Sequence, residues 1–300
     1  MLMIAFDRVY VLPLPSDHRF PMAKYELIPQ QLLYEGIIQP EQLFAPKRCQ
    51  FDDVLLAHDR IYITRMLNLE LSDRDMRKIG FPLTQTLIDR EFVIAGGTVQ
   101  CSEYALLHGA SLNIAGGTHH AYRDRGEGFC LLNDVAVAAS VLLHRGAVGQ
   151  ILVVDLDVHQ GQGTAKIFEE DSRVFTFSMH GKNNYPLHKE RSDLDVELED
   201  GTTGDEYLFL LADHLPKLLE RIKPDIVFYI SGVDVLSTDR YGKLKLSLEE
   251  CYRRDESVFA LMKFHHIPIV TVMGGGYSRE LRMIVDAHVN TFRAAMAFYG

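Results

Sequence analysis

From residue 111 onward, short apolar runs rich in β-branched residues alternate with longer stretches that mix apolar and charged positions. The runs are SLNIA (111–115), QILVVD (150–155), RVFTFSM (173–179), DIVFYIS (225–231) and IPIVTVM (267–273). Each has the length of a strand, and their nearly continuous apolar character is that of parallel strands buried on both faces. Between them lie DVAVAASVLLHRG (134–146), DEYLFLLADHLPKLLERI (205–222) and LEECYRRDESVFALMKFH (248–265), which read as helices. Alternation of this kind predicts an α/β fold, an open parallel sheet flanked by helices on both faces. Residues 24–110 read as mainly helical through KYELIPQQLLYEG, DDVLLAHDRIYITRMLNLE and SDRDMRKIG, and MLMIAF at the start reads as the first strand.

No repeat, low-complexity tract or linker interrupts this rhythm, so residues 1–300 are expected to form one domain. A content of 47% hydrophobic and 24% charged residues supplies a sizeable core. The formal charge of -10 argues against a nucleic-acid groove and would favour a cationic substrate or partner. Cys49, Cys101, Cys130 and Cys251 lack paired spacing and are expected to be reduced. MLMIAF runs directly into Asp7 and Arg8, unlike a signal peptide, and no apolar run is long enough for a membrane span. A cytoplasmic protein is expected, and nothing here specifies its oligomeric state.

Ligands of an open parallel sheet bind beyond the carboxyl ends of its strands. After SLNIA come Gly116, Gly117, Thr118, His119 and His120; after QILVV come Asp155, Asp157 and His159; after RVFTFSM comes His180. After DIVFYIS comes Asp234, and after IPIVTVM come Gly274, Gly275, Gly276 and Tyr277. Any one of these suits a turn, but chance explains poorly their delivery to one rim by strands distant in sequence. If D-L-D-V-H (155–159) continued the strand, alternation would put both aspartates and the histidine on one side. One Asp and one His from this stretch, with Asp234, would supply three ligands and leave a fourth position open, as in a catalytic zinc site. Fe(II), Co(II) and Mn(II) tolerate the same donors. Beside the metal, His119 and His120 could serve as acid and base, and Tyr277 as donor to an oxyanion.

G-G-T-H-H-A-Y, G-E-G-F-C-L-L-N-D, D-L-D-V-H-Q-G-Q-G, G-V-D-V-L-S-T-D-R-Y-G-K-L-K-L-S and G-G-G-Y follow one another across residues 115–280. In this order they resemble the signature segments of the zinc-dependent histone deacetylase superfamily, and in detail its class IV or related bacterial branch. The resemblance implies an arginase/deacetylase-like fold with Asp157, His159 and Asp234 as zinc ligands. It also implies His119 and His120 as the tandem histidines, Tyr277 as the transition-state tyrosine, and Asp155 and Gln162 as their respective histidine partners. Gly128 and Phe129 match the wall of an acyl-lysine tunnel, and Gly275 would lie against the substrate. A structural potassium site would use Asp155 and Ser178, with backbone carbonyls of Asp157, His159 and Met179. The implied activity is hydrolysis of an Nε-acyl-lysine amide by metal-activated water.

Three positions depart from the class I pattern. Gln162 replaces an aspartate, so His120 should stay neutral while His119, beside Asp155, is protonated more readily. Thr118 replaces a bulky aromatic, which makes acyl chains longer than acetyl plausible. No counterpart of the rim aspartate that grips a peptide backbone is evident. The alternatives weighed are an acetylpolyamine or small-molecule amidohydrolase and a catalytically silent binding module. A nucleotide-binding domain is opposed, since G-Q-G-T-A-K (161–166) lacks the third glycine of the dinucleotide pattern.

Overall fold

Strands β1 (Met3–Ala5), β2 (Leu43–Phe44), β3 (Ala110–Asn113), β4 (Ile151–Asp155), β5 (Val174–Gly181), β6 (Leu194–Leu198), β7 (Ile226–Ile230) and β8 (Ile269–Val272) form one sheet in the computed structural model, which describes residues 1–15 and 17–300. Their spatial order is β2-β1-β3-β8-β7-β4-β5-β6, and every pairing is parallel. The expectation of an α/β fold on an open parallel sheet therefore holds. All residues of β3, β8, β7 and β4 are buried, as near-continuous apolar runs require.

The helices expected after residue 133 are present as Asp134–His144, Gly204–Ile222 and Leu248–Phe264. The last two start at capping boxes, Thr203 with Glu206 and Ser247 with Glu250. The expected helical stretch over 52–70 is broken into Phe51–Val54 and Arg60–Leu67. Its interruption contains His58, whose Nδ1–H donates to the Tyr122 carbonyl at 2.9 Å while Nε2 accepts from the Asn133 amide at 2.9 Å. The buried imidazole thereby braces the chain just beyond His120.

Burial pushes the pKa of His58 down to about 4. A group with a lowered folded-state pKa contributes stability that is complete above its unfolded value near 6.5 and is lost as pH falls toward 4. That interval corresponds to about 3 kcal/mol. Urea unfolding between pH 7 and pH 4 should show this loss in the wild type, and a reduced slope in His58→Gln.

Helix Leu248–Phe264 also supports the site, through Arg254. Arg254, fully buried, donates from Nη1 to the carbonyls of Leu156 (3.3 Å) and Gly232 (2.7 Å), beside Asp157 and Asp234. Asp255 balances its charge and accepts hydrogen bonds from Tyr229 and Thr291. Asp255→Ala would leave a buried guanidinium without a counter-charge and should cost about 3–5 kcal/mol. A change under about 1 kcal/mol in urea unfolding, the range of an exposed pair, would remove this network from the account.

Candidate active site

The carboxyl ends of β3, β4, β7 and β8 open onto one depression. The strand β4 stops at Asp155, so a turn rather than strand alternation brings the D-L-D-V-H side chains together. Asp157 Oδ1 accepts from the His159 amide at 2.9 Å and lies 3.0 Å from His159 Nδ1, while Oδ2 accepts from the Gly275 amide at 2.7 Å. Asp234 Oδ1 accepts from the Val158 amide at 2.9 Å. Its Oδ2 is buried without a hydrogen-bond partner, 3.2 Å from His159 Nδ1.

One ligand atom from each of Asp157, His159 and Asp234 lies within 4.8 Å of the others. Two carboxylates and an imidazole, all buried, suit a divalent cation of the zinc or iron type, and the orphaned Asp234 oxygen is a ligand atom left over by the protein's own hydrogen bonds. Gly275 closes over them: a Cβ there would stand 2.0 Å from Asp234 Oδ2. Only a glycine allows that loop to approach so closely.

His119 and His120 are adjacent, with ring centroids 4.1 Å apart, but their partners differ. The Asp155 carboxylate accepts from His119 Nδ1 at 2.6 Å, whereas the Gln162 amide oxygen accepts from His120 Nδ1 at 2.6 Å. Burial opposes charge on both. At His119 the charges of Asp155 and Asp157 prevail and raise the pKa to about 9. At His120 burial is reinforced by His119 and His159, and the pKa falls well below its usual value. These directions agree with the contrast expected from a carboxylate at one histidine and an amide at the other.

Tyr277 is buried among Phe20, Phe129, His159 and Tyr241, at centroid distances of 6.1, 6.0, 6.5 and 5.2 Å. Burial, then the charges of Asp234 and Asp157, push its pKa well above the usual value, so it remains a hydrogen-bond donor. Its backbone is held at both ends, with N–H donating to Asp239 Oδ2 at 2.6 Å and the carbonyl accepting from Arg240 Nε at 2.8 Å.

Gly128 and Phe129 stand at the entrance, both in the left-handed region with φ of 53° and 67°. Their amides donate to the carbonyls of Lys78 and Ile79, which hold a conformation costly for phenylalanine. A Cβ at Gly128 would come within 2.6 Å of the His120 ring.

His180 departs from expectation, because β5 continues through it. The side chain is fully buried and lies outside the Asp157, His159 and Asp234 group, with Nδ1 2.9 Å from Ser178 Oγ. Ser178 and Asp155 are register partners on β5 and β4, and Met179 is fully buried.

Several residues of the depression had no sequence signal. Phe20 and Arg19 come from an irregular N-terminal loop, and Arg240 from the turn after Asp234. Tyr185, whose ring meets His120 edge-on at 5.0 Å, lies in a loop after β5 and could have been found by extending the strand-end search past His180. A narrow inner cavity of about 30 Å³ is lined by Phe20, Ile94, Thr118 and Cys130 as well as His119, His120, Asp157, His159 and Tyr277. An outer funnel of about 410 Å³ leads from His120, His159 and Tyr277 to the surface. Among the described residues no helix is long and apolar enough to cross a membrane.

The chain is 44% identical over 296 residues to an uncharacterized protein of Picosynechococcus sp., covering 99% of both chains. It is 29% identical to histone deacetylase 2 of Arabidopsis thaliana, over 93% of this chain and 75% of that one. A solved structure described as an HDAC homolog complexed with SAHA shares the fold with a TM-score of 0.84 at 22% identity, covering 99% of this chain and 84% of that chain. The family model described as the histone deacetylase domain matches residues 18–292. With nearly the whole sheet and every residue of the depression inside that match, the chain belongs to the histone deacetylase domain family.

Proposed function

We propose that this protein is a zinc-dependent deacylase that hydrolyses the amide of an Nε-acyl-lysine to free amine and carboxylate. The observation that carries this reading is the buried Asp157, His159 and Asp234 group at the base of a funnel shared with His120 and Tyr277. When bound there, a divalent cation supplies Lewis acidity that lowers the pKa of water and polarises a carbonyl. Fe(II) or Co(II) would meet the same donors.

The chain's own groups complete the chemistry. His120, kept neutral by burial and donating from Nδ1 to Gln162, offers Nε2 as acceptor for the proton of the attacking water. His119, charged beside Asp155, returns a proton to the leaving amine. The Tyr277 hydroxyl donates to the carbonyl oxygen as negative charge develops on it. Gly128 and Phe129 flank the lysine stem, and Gly275 lies against the reacting amide.

The inner cavity, at about 30 Å³, has room for little more than one or two waters and supports a short acyl group such as acetyl rather than a longer chain. Its lining includes Thr118, whose hydroxyl is turned away to Asp134 at 2.7 Å. Within the family, Gln162 at His120 supports a class IV-like or related bacterial affiliation. The strand register that pairs Asp155 with Ser178 supports a structural potassium ion near Asp155, Ser178 and Met179. Four unpaired cysteines support a cytoplasmic location.

Metal analysis together with turnover of a series of acyl-lysine peptides tests the reading. Hydrolysis that requires one divalent cation per chain is the expected result. Equal activity after complete metal removal would overturn it.

A further inference from the structure

We infer that the mouth of this site selects substrates bearing a carboxylate on the amine side, close to the acylated nitrogen; this rests on the deacylase reading and deepens it. The chain as a whole is acidic, with a formal charge of -10. The funnel inverts that sign: Arg19, Lys78, Arg240 and Lys243 all line it, and among the described residues no aspartate or glutamate does.

The four cations are not equally free. Lys78 lies 3.7 Å from Glu127, and Lys243 lies 3.5 Å from Asp200. Glu127 is already engaged by Arg125 at 3.1 Å and by the Tyr185 hydroxyl at 2.9 Å. Arg19 and Arg240 have no carboxylate within 4.0 Å among the described residues, although each is held in place. Arg19 stands over the Phe129 ring at 5.0 Å. Arg240 donates to the Tyr277 carbonyl at 2.8 Å and to the Arg19 carbonyl at 3.2 Å.

Two guanidiniums thus flank the tunnel wall and the oxyanion donor, oriented before any substrate arrives. A concave site lined by one sign of charge concentrates the opposite sign and repels its own. An acylpolyamine, with ammonium groups along its chain, meets the wrong field, so the global charge misleads about the ligand. The carboxylate could belong to acidic residues beside an acyl-lysine in a peptide, or to the α-carboxyl of free acyl-lysine.

The test compares acetyl-lysine peptides flanked by Asp and Glu, by Asn and Gln, or by Lys and Arg, alongside free Nε-acetyl-lysine, its α-amide and an acetylpolyamine. At low salt the acidic peptides should exceed the basic ones in kcat/KM by about 10-fold or more, and added salt should shrink the ratio. Preference for free acetyl-lysine over its α-amide would identify the α-carboxyl as sufficient; preference confined to peptides would assign the flanking side chains. Arg19→Glu combined with Lys243→Glu should invert the acidic-to-basic ratio, whereas Lys217→Gln, on an exposed helix face, should leave it intact.

A wild-type ratio of one or less, or a ratio unmoved by the rim substitutions, overturns the inference while leaving deacylation standing. If no acyl-lysine peptide is hydrolysed, the deacylase reading fails instead. Fluorescence anisotropy of the acidic and basic peptides then still decides the charge preference of the mouth.

Discussion

Asp234→Asn is expected to empty the protein of its divalent cation and to lower kcat/KM on an acetyl-lysine peptide by more than about 100-fold. Partners that merely orient a metal's ligands are worth about 10- to 100-fold, and a direct anionic donor should exceed them. The substitution keeps the size of the side chain and an oxygen that can still accept from the Val158 amide at its 2.9 Å position, so the fold should survive. Chelation should lower the thermal midpoint of the wild type, because a ligand bound only by the folded state stabilises it, and should leave Asp234→Asn unmoved.

Without metal, the Asp234 carboxyl itself opposes folding near neutral pH, a cost partly offset by His159, whose Nδ1 lies 3.2 Å away. Burial and the neighbouring Asp157 push the Asp234 pKa up to about 7. An acid whose pKa rises on folding costs stability that grows as pH climbs from 3.8 and is complete above 7, and asparagine escapes that cost but loses the pairing with His159. Full metal content with wild-type turnover in Asp234→Asn would remove Asp234 from the coordination set.

Tyr277→Phe should reduce kcat by about 100-fold or more while metal content and KM stay close to wild type, the pattern of an interaction made only in the transition state. The aromatic packing against Phe20 and Phe129 survives this change, since it involves the ring and not the hydroxyl. Protonation cannot explain a loss, because burial keeps the phenol neutral across the working pH range. An equal fall in metal content would point to a structural role instead, and an unchanged kcat would remove Tyr277 from the chemistry.

The central sheet was legible because strands buried on both faces appear as uninterrupted apolar runs, and the residues after β3, β4, β7 and β8 could be read off their ends. The edges were not. The strand β2 has two residues, and β6 carries Asp195 and Glu197 along a half-exposed border, so neither leaves an apolar run. His180 was misplaced because the polar residues of β5 do not mark its end, and the strand continues to Gly181. Arg19, Phe20 and Arg240 reach the mouth through irregular loops, whose paths no local pattern encodes. Net charge averaged over 300 residues concealed a cationic funnel, because a sum carries no positions.

The placement of β8, last in the chain and between β3 and β7 in space, bears on biosynthesis. Until it emerges from the ribosome, the nascent polypeptide would hold two separate half-sheets with an unpaired strand at the border of each, β3 on one and β7 on the other. Such borders template association between chains, so this protein should depend on chaperones during translation more than one whose centre is made first. A fragment ending before Ile269 should accumulate as aggregate rather than as a smaller folded unit.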